Sequence, residues 1–281
     1  LGINCKFFKY IEHLEGKIGY FSHRFLIGPR VEKINELLRS YVDEIEPDII
    51  FLYRALTIKP SLVNYFSKKG VVVVSFNPDT ISGKNGYKAY WRFYKKYISY
   101  CDINYIYRDS DFEALADYKV KNVRILESFF IRSLTSVEAP INFTSKLYDV
   151  GFYGHCEPDS RLNIVRKLSK QNYNLAVSGV YWDKFYKHPV DAFALFGGSL
   201  SIRDYVEKIN QTRICLSFLS TWNQDLYTRR VFEIPACGSV LAVPRNDKTL
   251  QIYNESEAIF FSSYDELNKR IQFFLSHPNA W

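Results

Sequence analysis

From Asp48 onward, short β-branched and aromatic runs alternate with segments of helical period. In the first half, the runs at 48–53, 70–76, 103–107 and 123–126 predict strands. The segments at 30–45, 58–68, 86–100 and 110–118 predict helices. In the second half, strands are expected at 149–153, 174–178, 213–219, 239–243 and 258–261, with helices at 160–171, 201–210, 228–237 and 264–276. Ile202, Tyr205, Val206 and Ile209 recur at i, i+3, i+4 and i+7, an apolar stripe suited to a helix lying on a sheet. Ser263 and Glu266 have capping-box spacing, which starts the last helix. Such alternation builds parallel sheets covered by helices, so the chain is expected to be α/β, with two doubly wound units in series.

The segment 133–146 is rich in Ser, Thr, Pro and Asn and has no clear period, which makes it the expected linker. It separates a first domain at 1–135 from a second at 147–281. Residues 183–200, with a proline and a Gly-Gly pair, do not fit the alternation and are expected to form an irregular loop. With 47% apolar residues the chain can bury large cores, which excludes intrinsic disorder. No apolar run approaches the roughly eighteen residues of a spanning helix, and no signal peptide is visible. Five scattered cysteines without a CxxC pair point to reduced thiols in a cytoplasmic protein, not to a disulfide frame or a metal site. The chain has no Met and runs from Leu1 to Trp281, so truncation at both ends is expected.

Charge is uneven. Residues 1–146 hold 22 basic and 16 acidic residues, and 147–281 hold 15 and 14. Within 51–100 there are nine Lys or Arg and a single acid, Asp79. Lys84, Lys88, Arg92 and Lys95 fall along one helical face among Tyr and Trp residues. Such a face attracts anionic lipid headgroups or a pyrophosphate-linked acceptor; the competing reading is a solvated face over an aromatic core. Nucleic acid is not expected, because no nucleic-acid-binding module is recognisable.

In open α/β sheets, ligands bind beyond the carboxyl ends of the strands. After the strand at 149–153 comes Gly154-His155-Cys156-Glu157-Pro158-Asp159-Ser160-Arg161, a turn leading into a helix. Gly154 lets backbone approach a ligand, the helix start offers amides to a diphosphate, and Arg161 or His155 adds charge. An ordinary turn capped by Asp159 or Ser160 is the alternative. After the strand at 174–178, Tyr181 and Trp182 offer rings for a base to stack on, or simply pack. The strongest signal is the segment 225–238, in which Asp225 and Glu233 lie eight apart around Arg229 and Arg230. On a helix, Arg229 and Glu233 are i and i+4: either an ion pair, or a ribose-binding carboxylate beside a phosphate-binding guanidinium. Asp79, after an N-terminal strand, is either a turn residue or a catalytic acid or base.

The run 228–238 (Thr-Arg-Arg-Val-Phe-Glu-Ile-Pro-Ala-Cys-Gly) resembles the signature of the CgeB-like (spore maturation protein-like) glycosyltransferases. Three further stretches agree in order: Asp149 to His155, Ser178-Gly179 with Trp182, and Ser262 to Leu267 ahead of Leu275 to Pro278. The resemblance covers 149–281 well and 46–127 loosely. It implies a GT-B fold related to the group 1, or family 4, enzymes: two Rossmann-like domains facing across a cleft, donor on the C-terminal one and acceptor on the N-terminal one. The implied activity is transfer of a sugar from a nucleotide-diphosphate sugar to a glycan, lipid-linked or protein acceptor, retaining and needing neither metal nor cofactor. The setting would be cell-surface polysaccharide biosynthesis in the cytoplasm or at the inner face of the membrane. By position, Glu233 would hold the ribose and Asp225 would stand near the transferred sugar, though it is Asp where the family's E-x7-E pattern has Glu. Arg229, Arg230 and Arg161 would meet the diphosphate, with Gly154, Tyr181 and Trp182 lining the donor site. Asp79 and His155 are the candidates for acid–base chemistry, and Lys88, Arg92 and Lys95 for acceptor or membrane contact. A nucleotide-sugar epimerase of the same shape and a non-catalytic sugar-binding or sensory protein are the rival readings.

Overall fold

A computed structural model describes residues 3–82, 88–137, 142–185 and 193–278. The chain divides into two compact units, Leu1–Glu127 and Ser128–Trp281. Both are parallel α/β, as the alternation predicts.

Unit 1 runs α1 (Gly16–Phe25), α2 (Pro29–Ile45), β1 (Ile49–Tyr53), α3 (Pro60–Lys68), β2 (Val72–Asn77), α4 (Arg92–Tyr97), β3 (Ile103–Ile106), α5 (Ser110–Leu115) and β4 (Val123–Ile125). Single 3-10 turns, Ala89–Trp91 and Ile98–Tyr100, flank α4. The strands add in one direction, β1-β2-β3-β4, all parallel. Pro29 and Pro60 open α2 and α3 at positions where the missing N–H costs nothing. The core joins Val63 and Phe66 of α3 and Val73 of β2 to Trp91, Tyr94 and Tyr97.

Unit 2 runs α6 (Arg132–Thr135), β5 (Tyr148–Tyr153), α7 (Ser160–Leu168), β6 (Leu175–Gly179), α8 (Trp182–Phe185), β7 (Phe193–Gly197), α9 (Ile202–Asn210), β8 (Thr212–Leu216), α10 (Arg230–Ala236), β9 (Val240–Pro244), α11 (Asp247–Ile252), β10 (Ile259–Phe261) and α12 (Tyr264–Ser276). Its six parallel strands lie in the order β10-β9-β8-β5-β6-β7. From β5 the chain winds outward through β6 and β7, then returns to the other side of β5 for β8, β9 and β10. Val150, Phe152, Ile214, Leu216 and Ala242 form the sheet's side of the core, with Val165 and Leu168 from α7 and Leu267 and Ile271 from α12 packed on it.

Three expectations need correction. The unit boundary lies after Glu127, before the expected linker, and the described part of 133–146 packs into unit 2. There, Val137 N–H donates to Ala236 O at 3.1 Å, and Arg213 Nε to Phe143 O at 3.1 Å. The segment 183–200 is not irregular throughout: Phe193–Gly197 is a strand paired with β6 from Leu175↔Phe193 to Gly179↔Gly197. Residues 186–192 of that loop, like Lys84 of the basic face, lie outside the described residues. Helices α1, α6, α8 and α11 were not expected; α11 is short and is set by an Asn246–Thr249 capping box.

Candidate functional site

The winding direction of the unit 2 sheet reverses between β5 and β8. At such a reversal, the loops leaving the carboxyl ends of the two central strands part and open a crevice. These loops and the first turns of the helices they lead into carry Gly154, His155 and Arg161 after β5, and Asp225, Arg229 and Arg230 after β8.

The β5 loop is held tightly. Gly154 N–H donates to Ser178 O at 2.8 Å, and Cys156 N–H to Val180 O at 2.9 Å. Trp182 Nε1 donates to Gly154 O at 2.9 Å. A Cβ on Gly179, whose φ is +143°, would lie 2.0 Å from that same carbonyl oxygen. Only glycine permits this approach. On the other side, a Cβ on Gly154 would lie 2.6 Å from Arg230 Nη2. Arg230 donates from Nε to Tyr153 O at 2.8 Å and covers the Phe152 ring. Gly154, Gly179, Trp182 and Arg230 therefore form one packed knot. Trp182 is buried edge-on against Phe152, whereas Tyr181 is exposed in a left-handed conformation, φ +70°. Tyr181 is the ring of the pair that a ligand can reach.

Below this knot lies a buried polar cluster that the sequence reading missed. Glu157, 3% exposed, accepts from His155 Nε2 at 2.6 Å and from Ser220 Oγ at 3.0 Å. Arg161 Nη2 stands 3.3 Å from the same carboxylate. Burial pushes the Glu157 carboxyl up, but the His155 bond, the Arg161 charge and the Ser220 hydroxyl outweigh it, so the group lies below its ordinary value. Arg161, itself 2% exposed, is clamped by Asp159 through Nε at 2.8 Å and Nη2 at 2.9 Å, and donates to His155 O at 3.0 Å. Asp159 also caps α7 by accepting from Arg161 N–H, the capped turn that was one of the two alternatives for this segment. Glu157 was visible two residues beyond His155; Ser220 carried no signal.

At the start of α10, Arg229, its N-cap residue, and Glu233 form the i, i+4 ion pair, with Arg229 Nε 3.0 Å from Glu233 Oε1. Glu233 is buried and its second oxygen accepts from Tyr205 Oη at 2.9 Å, while Arg229 is half exposed. Ser217 and Thr228 hydroxyls meet at 3.2 Å, tying the end of β8 to the approach to α10. Asp225 is half-buried in the β8 loop, its N–H donating to Ser220 O at 3.0 Å.

The remaining candidates lie in unit 1. Asp79 pairs with Arg54 at 2.5 Å and sits in a turn closed by Asn77, whose Nδ2 donates to Asp79 O at 2.6 Å. Arg92 Nη2 donates to Leu26 O at 3.1 Å, capping α1. Lys88 lies over the Tyr90 ring and Lys95 over Tyr118. Trp91, Tyr94 and Tyr97 beneath them are buried. Among the described residues no group of three or more His, Cys, Asp or Glu is placed to hold a metal ion, and no helix is long and apolar enough to cross a membrane.

Residues 161–281 match the glycosyl transferase-like family model. No curated protein matches the chain by sequence. Solved structures similar to it include Anabaena Alr3699/HepE in complex with UDP and glucose, at TM-score 0.62 and 10% identity over 94% of this chain and 75% of that one. An alpha-glucosyltransferase in complex with UDP-glucose and DNA containing an abasic site is similar at TM-score 0.61 and 12% identity, over 89% and 75% of the two chains. Sucrose-phosphate synthase from Thermosynechococcus elongatus is similar at TM-score 0.59 and 11% identity, over 89% and 70%. The chain thus has the two-domain α/β fold of GT-B glycosyltransferases, and 161–281 carry the sequence pattern of a glycosyl transferase-like domain.

Proposed function

We propose that the protein is a glycosyltransferase that binds a nucleoside-diphosphate sugar at the reversal point between β5 and β8. The observation that carries this reading is the convergence of Gly154 and His155 with Asp225 and the Arg229-Arg230…Glu233 helix on the loops of that reversal, the latter group inside the stretch, 161–281, that matches the family model. The run 228–238 favours the CgeB-like branch of the group 1 enzymes.

As the anomeric C–O bond breaks, negative charge grows on the leaving diphosphate, and fixed cations that meet it stabilise the transition state more than the ground state. Arg230, fixed by Tyr153 O, and the half-exposed Arg229 fill that role. When Arg229 turns to the diphosphate, Glu233 is freed to accept the ribose hydroxyls while Tyr205 holds its carboxylate in place. Tyr181 stacks on the base or sugar, and His155 and Asp225 are the groups nearest in sequence and fold to serve as acid or base. The transfer is retaining and metal-independent, and the acceptor is a glycan, a lipid-linked saccharide or a protein.

Two measurements test this. UDP and UDP-sugars should raise the thermal midpoint, since a ligand specific for the native state stabilises it. The wild type should prefer UDP to 2′-deoxy-UDP, and Glu233→Ala should lose that preference. Equal binding of both nucleotides by the wild type would sink the ribose assignment. Isomerised sugar nucleotide without acceptor would replace transfer by epimerisation, and binding of free sugar with indifference to every nucleotide would favour a sensory protein.

A further inference from the structure

Helix α1 is amphipathic in the wrong sense for a helix in water. Its inward positions are Gly19 and Ser22, and Leu26 follows at the C-terminus. A Cβ on Gly19 would lie 2.0 Å from Leu14 O, so the helix is seated through its smallest residue. Its outward positions are Ile18, Phe21 and Phe25, at i, i+3 and i+7, with Ile18 67% and Phe21 54% exposed. The Phe21 and Phe25 rings touch, with centroids 4.5 Å apart, and Ile27 beyond the helix is also exposed. An exposed helix ordinarily turns such residues to the core, and a contiguous apolar ridge left outside marks a contact surface.

The charge around the ridge selects the partner. Residues 16–31 carry Lys17, Arg24 and Arg30 and no Asp or Glu. Residues 88–101 carry Lys88, Arg92, Lys95 and Lys96 and again no acid. The two acid-free segments adjoin: Arg92 Nη2 donates to Leu26 O at 3.1 Å, and the His23 ring stacks on Tyr90 at 6.5 Å. On α1 itself, Lys17 and Arg24 lie one turn-pair apart, beside the apolar ridge.

We propose that α1, with Lys88 beside it, docks on the surface of an anionic lipid bilayer. Phe21, Phe25 and Ile18 enter the boundary between headgroups and acyl chains, and Lys17, Arg24 and Lys88 meet lipid phosphates. A nucleic acid would satisfy the cations but leave the aliphatic and paired Phe groups in water, and a second copy of the chain would bring like charge against like charge.

The experiment is co-sedimentation of the full chain with vesicles of phosphatidylcholine alone, or with about a third phosphatidylglycerol. Partitioning should be at least about tenfold stronger on the anionic vesicles. Phe21→Ser with Phe25→Ser should lower it about tenfold. Lys17→Glu with Arg24→Glu should lower it at least about fivefold per site on anionic vesicles only. All changed positions are exposed, so both variants should keep the wild-type circular dichroism and the UDP response, and the test stands apart from the donor reading. Equal binding of neutral and anionic vesicles would overturn the proposal. So would a Phe variant that binds like the wild type, a dimer that the Phe substitutions dissolve, or oligonucleotide binding that they leave unchanged while vesicles fail to bind.

Discussion

Replacing Gly179 by Ala puts a methyl carbon 2.0 Å from Gly154 O, so the β5 and β6 loops must part by roughly 1.4 Å to reach an ordinary 3.4 Å contact. They are poorly able to do so. Gly154 O also accepts from Trp182 Nε1, and Gly154 N–H is fixed on Ser178 O. Overpacking of this kind costs about 1–3 kcal/mol, an Ala at φ +143° costs about 1–3 more, and a strained Trp182 bond about 1. The total, about 3–7 kcal/mol, corresponds to a fall on the order of 10–20 °C in the thermal midpoint for a unit of this size. Gly154→Ala is the control. Its new methyl meets the tip of Arg230 at 2.6 Å and the edge of the buried Phe152 ring at 2.9 Å, both side chains and not backbone, so the cost is about 1–2 kcal/mol for the Arg230–Tyr153 bond it displaces and about 1 more for the shift of the ring. Differential scanning calorimetry of both variants, with and without UDP, should show Gly179→Ala as the larger loss of stability. Gly154→Ala should show the smaller loss but a weakened nucleotide response, because Arg230 has moved. A Gly179→Ala midpoint within about 3 °C of wild type, or the reverse order of the two, would refute the account of this knot.

Two further predictions concern titration. Because the Glu157 carboxyl is held below its ordinary 4.5, the stability it contributes is complete above that value and is lost as pH falls through its folded value. The stability difference between wild type and Glu157→Gln, about 1–3 kcal/mol at neutral pH, should therefore shrink on acidification in urea titrations; a difference constant with pH would contradict it. Burial pushes the thiols of Cys101, Cys215 and Cys237 up to about 12 and that of Cys156 to about 11, while Cys5 is exposed. An aromatic disulfide reagent near pH 8 should thus label Cys5 rapidly and the other four only after denaturation, and a second fast thiol would show that one of these sites opens.

What was legible in the sequence, and what was not, follows from which way side chains point. Strands such as β2 and β5 were legible because their runs are apolar on both faces. Helix α1 was not, because its apolar period belongs to the outward face and the inward one is written in Gly19 and Ser22. The expected linker misled for a related reason. The segment 133–146 is polar and lacks a period, the pattern of a linker, yet the backbone of its described residues is bonded inward, as where Cys237 Sγ lies 3.3 Å from Thr135 O. At the site, the Arg229–Glu233 pair was readable because four residues on one helix fix a neighbour. The Glu157–Ser220 bond joins loops 63 residues apart that meet only because β8 returns to lie beside β5.

This separation divides the candidate residues in a way composition cannot. Arg161, Trp182 and Glu157 are consumed in holding the loops, although all three have the chemistry of ligand-binding residues. Tyr181 is exposed at the end of β6, whereas His155 and Arg229, exposed as well, each partner a buried carboxylate, Glu157 and Glu233. Substitutions in the first group should lower stability and nucleotide affinity together, since a loop that has shifted no longer presents its backbone. Substitution of Tyr181 should weaken binding at unchanged stability, because an exposed side chain contributes little to folding, whereas loss of His155 or Arg229 also strips a buried carboxylate of a partner and should cost stability as well. Trp182→Phe against Tyr181→Ala is the sharpest pair. The two rings are adjacent in sequence, yet only Trp182 anchors Gly154 O, so the stability loss should fall on Trp182→Phe and a pure loss of affinity on Tyr181→Ala. If Tyr181→Ala proved the more destabilising of the two, the division of labour at this strand end would have been drawn the wrong way round.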